Sequence, residues 1–225
     1  CAGSKTGMFT SPHLVDFRER IQVQGDMISK EDTMRLGNRL LSMDFGVCPT
    51  MFDYCLAMAL LYFKEQKCDV VILETGLGGT YDSTNACGVP DVTVIAKIGF
   101  DHMAILGDTL AQIAAEKAGI IKHGTALVLE SQEKEAMDVL NKAAERADIK
   151  TIKVVNLDEI RILPQKDGKQ CFSYAGYDAV TMKMLGVHQY ENAVAAMLAA
   201  ELFFEKYFAG KKNVPERKAL QHAIR

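Results

Sequence analysis

The sequence lacks the features of a membrane-spanning or secreted protein. It has no apolar run of the length that a helix needs to cross a bilayer, and its first residues carry no signal-peptide pattern. The formal net charge of −3 over 225 residues gives no basic excess, so we expect neither nucleic acid nor an anionic membrane as a partner. With 48% hydrophobic and 24% charged residues, the composition is typical of a globular protein with one sizeable domain.

The cysteines lack the spacing of a metal site or a disulfide framework, since no two of them form a C-x-x-C pair. This pattern predicts free structural thiols in a reducing compartment, and we therefore expect the protein to be cytoplasmic. The six cysteines are at positions 1, 48, 55, 68, 87 and 171.

The first residues are similar to the end of a phosphate-binding loop but lack its context. In Gly3-Ser4-Lys5-Thr6, Ser4 stands where the loop needs glycine, and no strand precedes the segment. The following "GMFTSPH" predicts an extended segment with a turn at Pro12 instead of a helix. Because the chain also does not begin with Met, we expect a fragment or a processed piece that lacks a phosphate loop.

Continuous apolar strands alternate with helical patterns along the chain. Helices are predicted over 30–43 and from Phe52, where Phe52, Leu56, Leu60 and Phe63 fall on one face. Such alternation predicts an α/β fold with a mostly parallel sheet that is covered by helices on both faces. The other predicted elements are buried strands at Asp69–Leu73, "DVTVIAKIG" and "TALVLE"; a helix over 109–118 that Asp108 caps and Gly119 closes; helices over 133–147 and 189–208; and short strands within 151–182.

Polar side chains follow two of the predicted buried strands, at the edge where such sheets bind ligands. Glu74 ends one strand and runs into a glycine-rich turn, which lets backbone approach a charged ligand closely. Asp101-His102 follows the next strand, which we expect to neighbour the first, so Glu74 and His102 are candidate magnesium ligands. The alternatives are an ordinary strand-end acid and a structural histidine.

Lys117 is unusual because helical spacing places it on the same face as Leu110 and Ile113. Lysine rarely faces a core unless it is paired or functional, although it can also extend to solvent from the end of a helix. Two further polar pairs are candidates for ligand contact or for a simple cap or turn: Ser11 with His13, and Gln189 with Asn192.

Four segments in order resemble the folylpolyglutamate synthase and dihydrofolate synthase branch of the Mur ligases. The resemblance runs from about residue 3 to residue 200 and implies an ATP-dependent ligase that joins L-glutamate to a folate or dihydropteroate carboxylate through an acyl phosphate. The segments are "TGMFTSPHLVDFRERIQVQG", "VVILETGLGGTYDSTN", "DHMAILGDTLAQIAAEKAGIIK" and "GVHQYENAVAA".

The resemblance also implies roles for individual residues. Ser11, Glu74 and His102 match the magnesium ligands of the family, and Lys117 matches its carbamylated lysine, which serves a second metal site. Asn192 matches a nucleotide contact, and Gln189 lies beside it in the same helical turn. The positions that match the pterin side are Thr50, Met51, Phe52, Asp53 and Tyr81. Thr80 departs from the family pattern because Arg is usual there, which puts one cationic contact in doubt.

The resemblance further predicts how the chain is organised. Residues 1–210 would form a Mur ligase central domain without its phosphate-loop segment, and residues 211–225 would begin a linker and a helix, from Pro215, toward a further domain. We expect no ligase turnover from such a fragment alone. The alternatives are a peptidoglycan-type Mur ligase, against which the segment 50–53 argues, and a non-catalytic binding remnant.

Overall fold

The computed structural model describes residues 4–207, which divide into an amino-terminal unit, residues 4–88, and a carboxy-terminal unit, residues 89–207. In the amino-terminal unit, short 3-10 helices cover Phe17–Arg20 and Ser83–Cys87. Its strands and α-helices are β1 (Thr6–Phe9), β2 (Ile21–Val23), β3 (Asp26–Met27), α1 (Lys30–Leu41), α2 (Met51–Glu65) and β4 (Val70–Leu73).

The amino-terminal unit is built on a four-stranded sheet of order β3-β2-β1-β4. β1 pairs antiparallel with β2 but parallel with β4, with Phe9 opposite Leu73. The residues that follow β1 and β4 therefore leave the sheet at the same edge. Phe9, Ile21 and Leu36 are fully buried in one core with α1 and α2. β1 and α2 pack so closely that a Cβ on Gly7 would lie 2.6 Å from the Phe63 ring.

The buried face of α2 differs in one position from the predicted one. Leu56 and Phe63 are buried as expected, but Leu60 is 38% exposed. Ala59, which is fully buried, lies near the centre of the buried face, and Leu60 is rotated about 100° from it. The predicted face of α2 therefore included one residue, Leu60, that lies at the margin of the buried face.

The carboxy-terminal unit contains two further sheets and four helices among the residues described, with a 3-10 turn at Leu157–Glu159. Its elements are β5 (Val92–Ile95), α3 (Met103–Leu106), α4 (Leu110–Ala118), β6 (Ala126–Leu129), α5 (Lys134–Arg146), β7 (Ile152–Val154), β8 (Arg161–Lys166), β9 (Lys169–Tyr174), β10 (Tyr177–Met182) and α6 (His188–Tyr207).

The parallel sheet of this unit has the order β5-β6-β7, and a separate antiparallel sheet has the order β10-β9-β8. Leu127, Val128 and Leu129 of β6 are all fully buried, which requires cover on both faces of the strand. Helix α6 packs on β5 and β6, and Val128 belongs to the same core as Val194 and Met197. The α/β fold with parallel strands and covering helices is confirmed, and antiparallel hairpins accompany the parallel pairs.

Two local predictions are wrong. Thr109, not Asp108, caps α4, because Thr109 Oγ1 accepts from Gln112 N (3.2 Å) while Gln112 Oε1 accepts from Thr109 N (3.1 Å). β4 is less buried than its apolar sequence predicts, with Val71 41% and Ile72 53% exposed. The reason is that β4 lies at the edge of its four-stranded sheet.

The predicted linker at 211–225 and the predicted helix from Pro215 lie outside the described residues, as does the last residue of the predicted helix 189–208. Within residues 4–207, no helix combines the length and apolar character needed to span a bilayer.

Candidate active site

Ser11 and Glu74 come together at the edge where β1 and β4 end. The backbone N–H of Ser11 donates to Glu74 Oε2 at 2.6 Å, and the N–H of Glu74 donates to Phe9 O at 2.9 Å. The parallel pairing of β1 and β4 produces this contact, since it places the two loops side by side. The Glu74 side chain is exposed, so its carboxylate can be reached by a cation from solvent.

The segment after Ser11 is held in place by Glu19. Its carboxylate accepts from the N–H groups of Leu14, Val15 and Asp16 at 2.8, 2.9 and 2.6 Å. These backbone donors hold the pKa of Glu19 below its ordinary value. His13, which the sequence paired with Ser11, accepts at Nδ1 from Arg20 Nε (2.9 Å). His13 is therefore engaged with Arg20 within this loop.

Asp82, which was not singled out from the sequence, organises the glycine-rich turn after Glu74. Its Oδ2 accepts from the N–H groups of Gly76 and Leu77, both at 3.0 Å, and its Oδ1 accepts from Thr84 N at 2.9 Å. A Cβ on Gly76 would lie 2.6 Å from the Phe52 ring, so a larger residue would displace either the turn or α2. The sequence signal was the Asp-x-Thr spacing of an Asx turn.

The predicted substrate residues divide into packed and open positions. Asp53 Oδ2 accepts from Thr50 N and Thr50 Oγ1, both at 2.7 Å, as the capping box of α2, and Oδ1 accepts from Ser83 Oγ. The hydrogen bond from Ser83 is the main cause that lowers the pKa of Asp53. Phe52 packs edge-to-face on Phe9, with ring centroids 5.5 Å apart. Asp53 therefore joins the start of α2 to Ser83, and Phe52 packs α2 on β1.

Met51 and Tyr81 are the open members of the predicted substrate set. Met51 is 74% exposed and Tyr81 is 91% exposed, so both can offer apolar surface to a flat ring. Thr80, which stands where the family usually has Arg, is exposed beside Tyr81, and its carbonyl accepts from Asn85 Nδ2 at 3.1 Å.

In the carboxy-terminal unit, Asp101 and His102 lie in the loop that follows β5. His102 has a left-handed backbone, with φ 50° and ψ 35°, and occupies the N-cap position of α3. Its N–H donates to Asp101 Oδ1 at 2.8 Å, and its Nε2 is 3.6 Å from Asp101 Oδ2. Both side chains are exposed, so the imidazole is free to meet a ligand.

β4 belongs to the sheet of the amino-terminal unit and β5 to a sheet of the carboxy-terminal unit, so the neighbourhood of these two strands stays a prediction. Within residues 4–207, no three His, Cys, Asp or Glu side chains are grouped as a ready metal site. His102 supplies an imidazole in the carboxy-terminal unit. In the amino-terminal unit, Ser11 and Glu74 together supply a hydroxyl and a carboxylate. An oxygen-rich set of this kind fits magnesium better than a soft metal.

Lys117 lies in the last turn of α4 and is half-buried, one helical turn from the fully buried Ile113. Lys117 is therefore partly turned toward the buried face of α4, as its spacing from Ile113 predicted. A cation in the last turn is also favoured by the helix dipole.

The first turn of α6 brings Gln189 and Asn192 together, with Asn192 Nδ2 donating to Gln189 Oε1 at 3.2 Å. The preceding segment is held by Gln170 of β9, which is 6% exposed. Gln170 Nε2 donates to Met184 O (2.9 Å) and Gly186 O (3.1 Å), and its Oε1 accepts from Gly186 N (3.2 Å). The sequence carried no signal for Gln170, because such a clamp depends on the register of a hairpin.

The fold, together with the polar side chains that follow its strands, is typical of one protein family. The family model described as "Mur ligase middle domain" matches residues 45–200, more than half of the chain. The chain therefore belongs to the Mur ligase middle domain family.

Comparison with individual proteins confirms the resemblance to the folate branch. The chain is 40% identical over 217 residues to the dihydrofolate synthase/folylpolyglutamate synthase of Bacillus subtilis, with 89% of this chain and 49% of that protein covered. It is 39% identical over 223 residues to a folylpolyglutamate synthase of Arabidopsis thaliana, with 96% and 36% covered. The chain thus spans about half, or less, of the length of the curated relatives it matches.

Solved structures give the same result for the fold. The folylpolyglutamate synthase of Thermotoga maritima matches with a TM-score of 0.82 at 30% identity, covering 99% of this chain and 51% of that chain. The Mycobacterium tuberculosis folylpolyglutamate synthase complexed with ADP matches with the same TM-score and identity, again over 99% and 51%.

Proposed function

We propose that the protein carrying this chain is an ATP-dependent ligase that adds L-glutamate to a folate or dihydropteroate carboxylate. A carboxylate oxygen of the substrate attacks the γ-phosphorus of ATP, and ADP leaves. The glutamate amine then attacks the acyl carbon, phosphate leaves, and the nitrogen loses a proton to give the amide. The observation that carries this proposal is the contact of Ser11 and Glu74 at one sheet edge in a chain of the Mur ligase middle domain family.

Magnesium ions fit the residues proposed to hold them, namely Ser11, Glu74, His102 and, after modification, Lys117. When bound, magnesium would offset phosphate charge and stabilise phosphoryl transfer. The exposed Glu74 carboxylate, anchored through one oxygen by Ser11 N, would hold a cation without moving.

Lys117 would serve as a carbamate at a second magnesium site. In carbamate formation the lone pair of the amine nitrogen forms a bond to the carbon of CO₂, and the nitrogen loses a proton. This reaction replaces a cation by an oxygen anion, which is the ligand type that magnesium prefers. Gln189 and Asn192 would contact the nucleotide from the first turn of α6.

The substrate side would be formed by the turn after Glu74 and the start of α2. Met51 and Tyr81 would contact the pterin ring, because both side chains are exposed. Thr50, Phe52 and Asp53 would shape this surface, since they are engaged in the cap and packing of α2. We also propose a cytoplasmic location, where the small-molecule substrates and a reducing environment occur together.

The test is an assay of the full-length gene product that contains this chain, with ATP, magnesium and L-glutamate. Dihydropteroate and tetrahydrofolate are compared as acceptors. Product with either acceptor supports the proposal and tells dihydrofolate synthesis from folate extension. Binding of folate or nucleotide without turnover would instead favour a non-catalytic protein, and activity only on a UDP-sugar substrate would favour a peptidoglycan-type ligase.

Glu74→Gln is the matching variant for the metal assignment. It keeps the size of the side chain and an acceptor for Ser11 N, but it removes the charge. The rate should fall by about a hundredfold or more, the scale of a lost charge-stabilising group. Normal rates across a magnesium titration would show that Glu74 is not a ligand.

A further inference from the structure

We propose that the segment Glu130–Gln132 couples the position of the Asp101–His102 loop to the position of the first turn of α6. All of the residues concerned lie in the carboxy-terminal unit. We call this segment the β6 junction, because it directly follows β6. Residues of the junction bind backbone of the loop after β5, and α6 binds backbone of the junction.

The loop after β5 is held by two side chains of the β6 junction. Glu130 Oε2 accepts from Lys97 N at 2.7 Å, and Gln132 Oε1 accepts from Ile98 N at 2.8 Å. Gln132 Nε2 also donates to Ala96 O at 3.0 Å. Three consecutive residues of the loop are therefore fixed to the junction, and Asp101 follows only three residues later.

The junction is in turn held by α6. Glu191 Oε1 accepts from Ser131 N at 2.6 Å, a contact that spans 60 residues of sequence. Glu191 lies in the first turn of α6, between Gln189 and Asn192. A displacement of that turn would therefore pull on Ser131, and through the neighbouring junction residues on the loop that carries His102.

The carboxylates of Glu130 and Glu191 lower the stability of the fold, which indicates that the β6 junction has a role other than stability. Glu130 is 2% exposed, and the charge of Lys97, which lowers the pKa of Glu130, belongs to an exposed side chain whose Nζ also lies 3.8 Å from Glu133 Oε1. Burial raises the pKa of Glu130, and the carboxylate of Glu191 adds to this effect. Two carboxylates near one another in a largely buried place cost stability. A carboxylate that accepts from backbone also fixes a loop firmly, since charged acceptors make the stronger hydrogen bonds.

The functional meaning of this coupling rests on the proposed function. If His102 holds magnesium and the first turn of α6 contacts ATP, the junction makes binding at one place order the other. Glu130, Gln132 and Glu191 are then positioning residues that act through the backbone of the two neighbouring segments. Such an arrangement would favour the joint binding of magnesium and nucleotide over the binding of either alone.

Hydrogen exchange of single amides, followed by NMR on the full chain, tests the coupling without any assay of activity. Glu191→Ala removes the acceptor for Ser131 N, so Ser131 should exchange faster. Coupling predicts that Lys97 and Ile98, which Glu191 does not bind, also exchange at least about tenfold faster. Glu191→Gln keeps an acceptor and should restore protection. Glu135→Ala, which removes an exposed carboxylate on α5, is the control and should change the exchange of none of these three amides.

Faster exchange of Ser131 with unchanged Lys97 and Ile98 would overturn the coupling. Should Glu191→Ala fail to fold, Glu191→Asp, which draws the acceptor back by one methylene, gives the same comparison. In the full-length gene product, Glu191→Ala should raise both the KM for ATP and the magnesium concentration at half-maximal rate, each about threefold or more, and Glu191→Gln should not. A change in only one of the two would contradict the positioning role. A wild-type protein without ligase activity would contradict the proposed function instead, and hydrogen exchange would then decide the coupling by itself.

Discussion

Glu130 is a carboxylate that is 2% exposed at the end of β6, with one hydrogen bond from Lys97 N. Its raised pKa means that the folded state binds this proton more tightly than the unfolded state does. The contribution of Glu130 to stability is therefore most favourable below the ordinary glutamate pKa and becomes a cost as the pH rises through the raised value.

Glu130→Gln should accordingly stabilise the chain at neutral pH, since glutamine keeps an acceptor for Lys97 N without the charge. A gain of about 1 kcal/mol corresponds to about 2–4 °C in Tm for a chain of this size. Thermal unfolding of both proteins at pH 7 and near pH 4 measures it, and the difference should shrink in acid. Equal Tm values at pH 7, or a difference that grows in acid, would contradict this account.

Lys117 provides a second prediction for a single residue. Lys117→Ala in the full-length gene product should abolish most activity, because alanine cannot carry a carbamate. Short carboxylic acids added to that variant should restore part of the rate by supplying the missing oxygen anion. Lys142→Ala on the exposed side of α5 is the matched control, with unchanged activity expected. Full activity of Lys117→Ala would show that Lys117 is only a surface lysine at a helix end.

Among the secondary-structure elements, β9 has a larger role than its sequence suggests. Besides the Gln170 clamp on Met184 and Gly186, β9 places Phe172 edge-to-face with Tyr190 of α6, with ring centroids 5.6 Å apart. Gly186 has φ +120°, and a Cβ there would lie 2.7 Å from the His188 ring. The start of α6 is thus fixed by a strand of the antiparallel sheet.

Gln170→Met tests this role, because methionine fills a similar volume but removes the side-chain partner of Met184 O and Gly186 N, while Gly186 O keeps the N–H of Gln189. The expected loss is about 1–3 kcal/mol of unfolding free energy, with faster hydrogen exchange at Gly186. Gln165→Met on the exposed side of β8 controls for the change of residue type. If both variants unfold alike and Gly186 stays protected, the clamp has no energetic role.

The bounds of most helices and strands could be predicted from the sequence, whereas their caps and edge positions could not. Periodicity placed both ends of α1, α5 and α6 and the start of α2 within one or two residues, and apolar runs located β5 and β6. The sequence did not show which residue caps α4, because Asp108 and Thr109 are both good N-cap residues. The two hydrogen bonds between Thr109 and Gln112 decide for Thr109. The exposure of β4 was also hidden, because an apolar run does not reveal an edge position.

Candidate site residues were predictable where a residue directly follows a strand. The sequence predicted parallel strands but not the particular pair β1 and β4. The pairing of these two strands produces the contact between Ser11 and Glu74. Asp82, Gln170 and Glu130 were missed because their partners are backbone groups distant in sequence. Nothing about an isolated acid or amide in a sequence identifies such a backbone partner.

For the molecule as a whole, the two units differ in the response that their carboxylates should give to acid. In the amino-terminal unit, hydrogen-bonded partners lower the pKa of several carboxylates, whereas in the carboxy-terminal unit burial raises that of Glu130 and Lys150 lowers that of Asp148. A lowered pKa gives stability that is present above the unfolded value and is lost as the pH falls through the folded value. The amino-terminal carboxylates with a lowered pKa are Asp16, Glu19, Asp32, Asp53 and Glu65.

We therefore predict that acid loosens the amino-terminal unit first. Limited digestion with pepsin at about pH 2, the value to which the pKa of Asp16 is lowered, should yield first cuts within residues 4–88. The urea-unfolded chain serves as the control that both units contain cleavable sites. First cuts within residues 89–207 would contradict the prediction.

The central claim is that a folate-type carboxylate is activated by ATP as an acyl phosphate and then captured by glutamate. The most direct measurement uses an acceptor labelled with ¹⁸O in its reacting carboxylate, incubated with the full-length gene product, ATP, magnesium and L-glutamate. The account predicts that one labelled oxygen appears in the inorganic phosphate for each amide formed, and that ADP is the nucleotide product. Amide formation with unlabelled phosphate, or with AMP as the product, would contradict it.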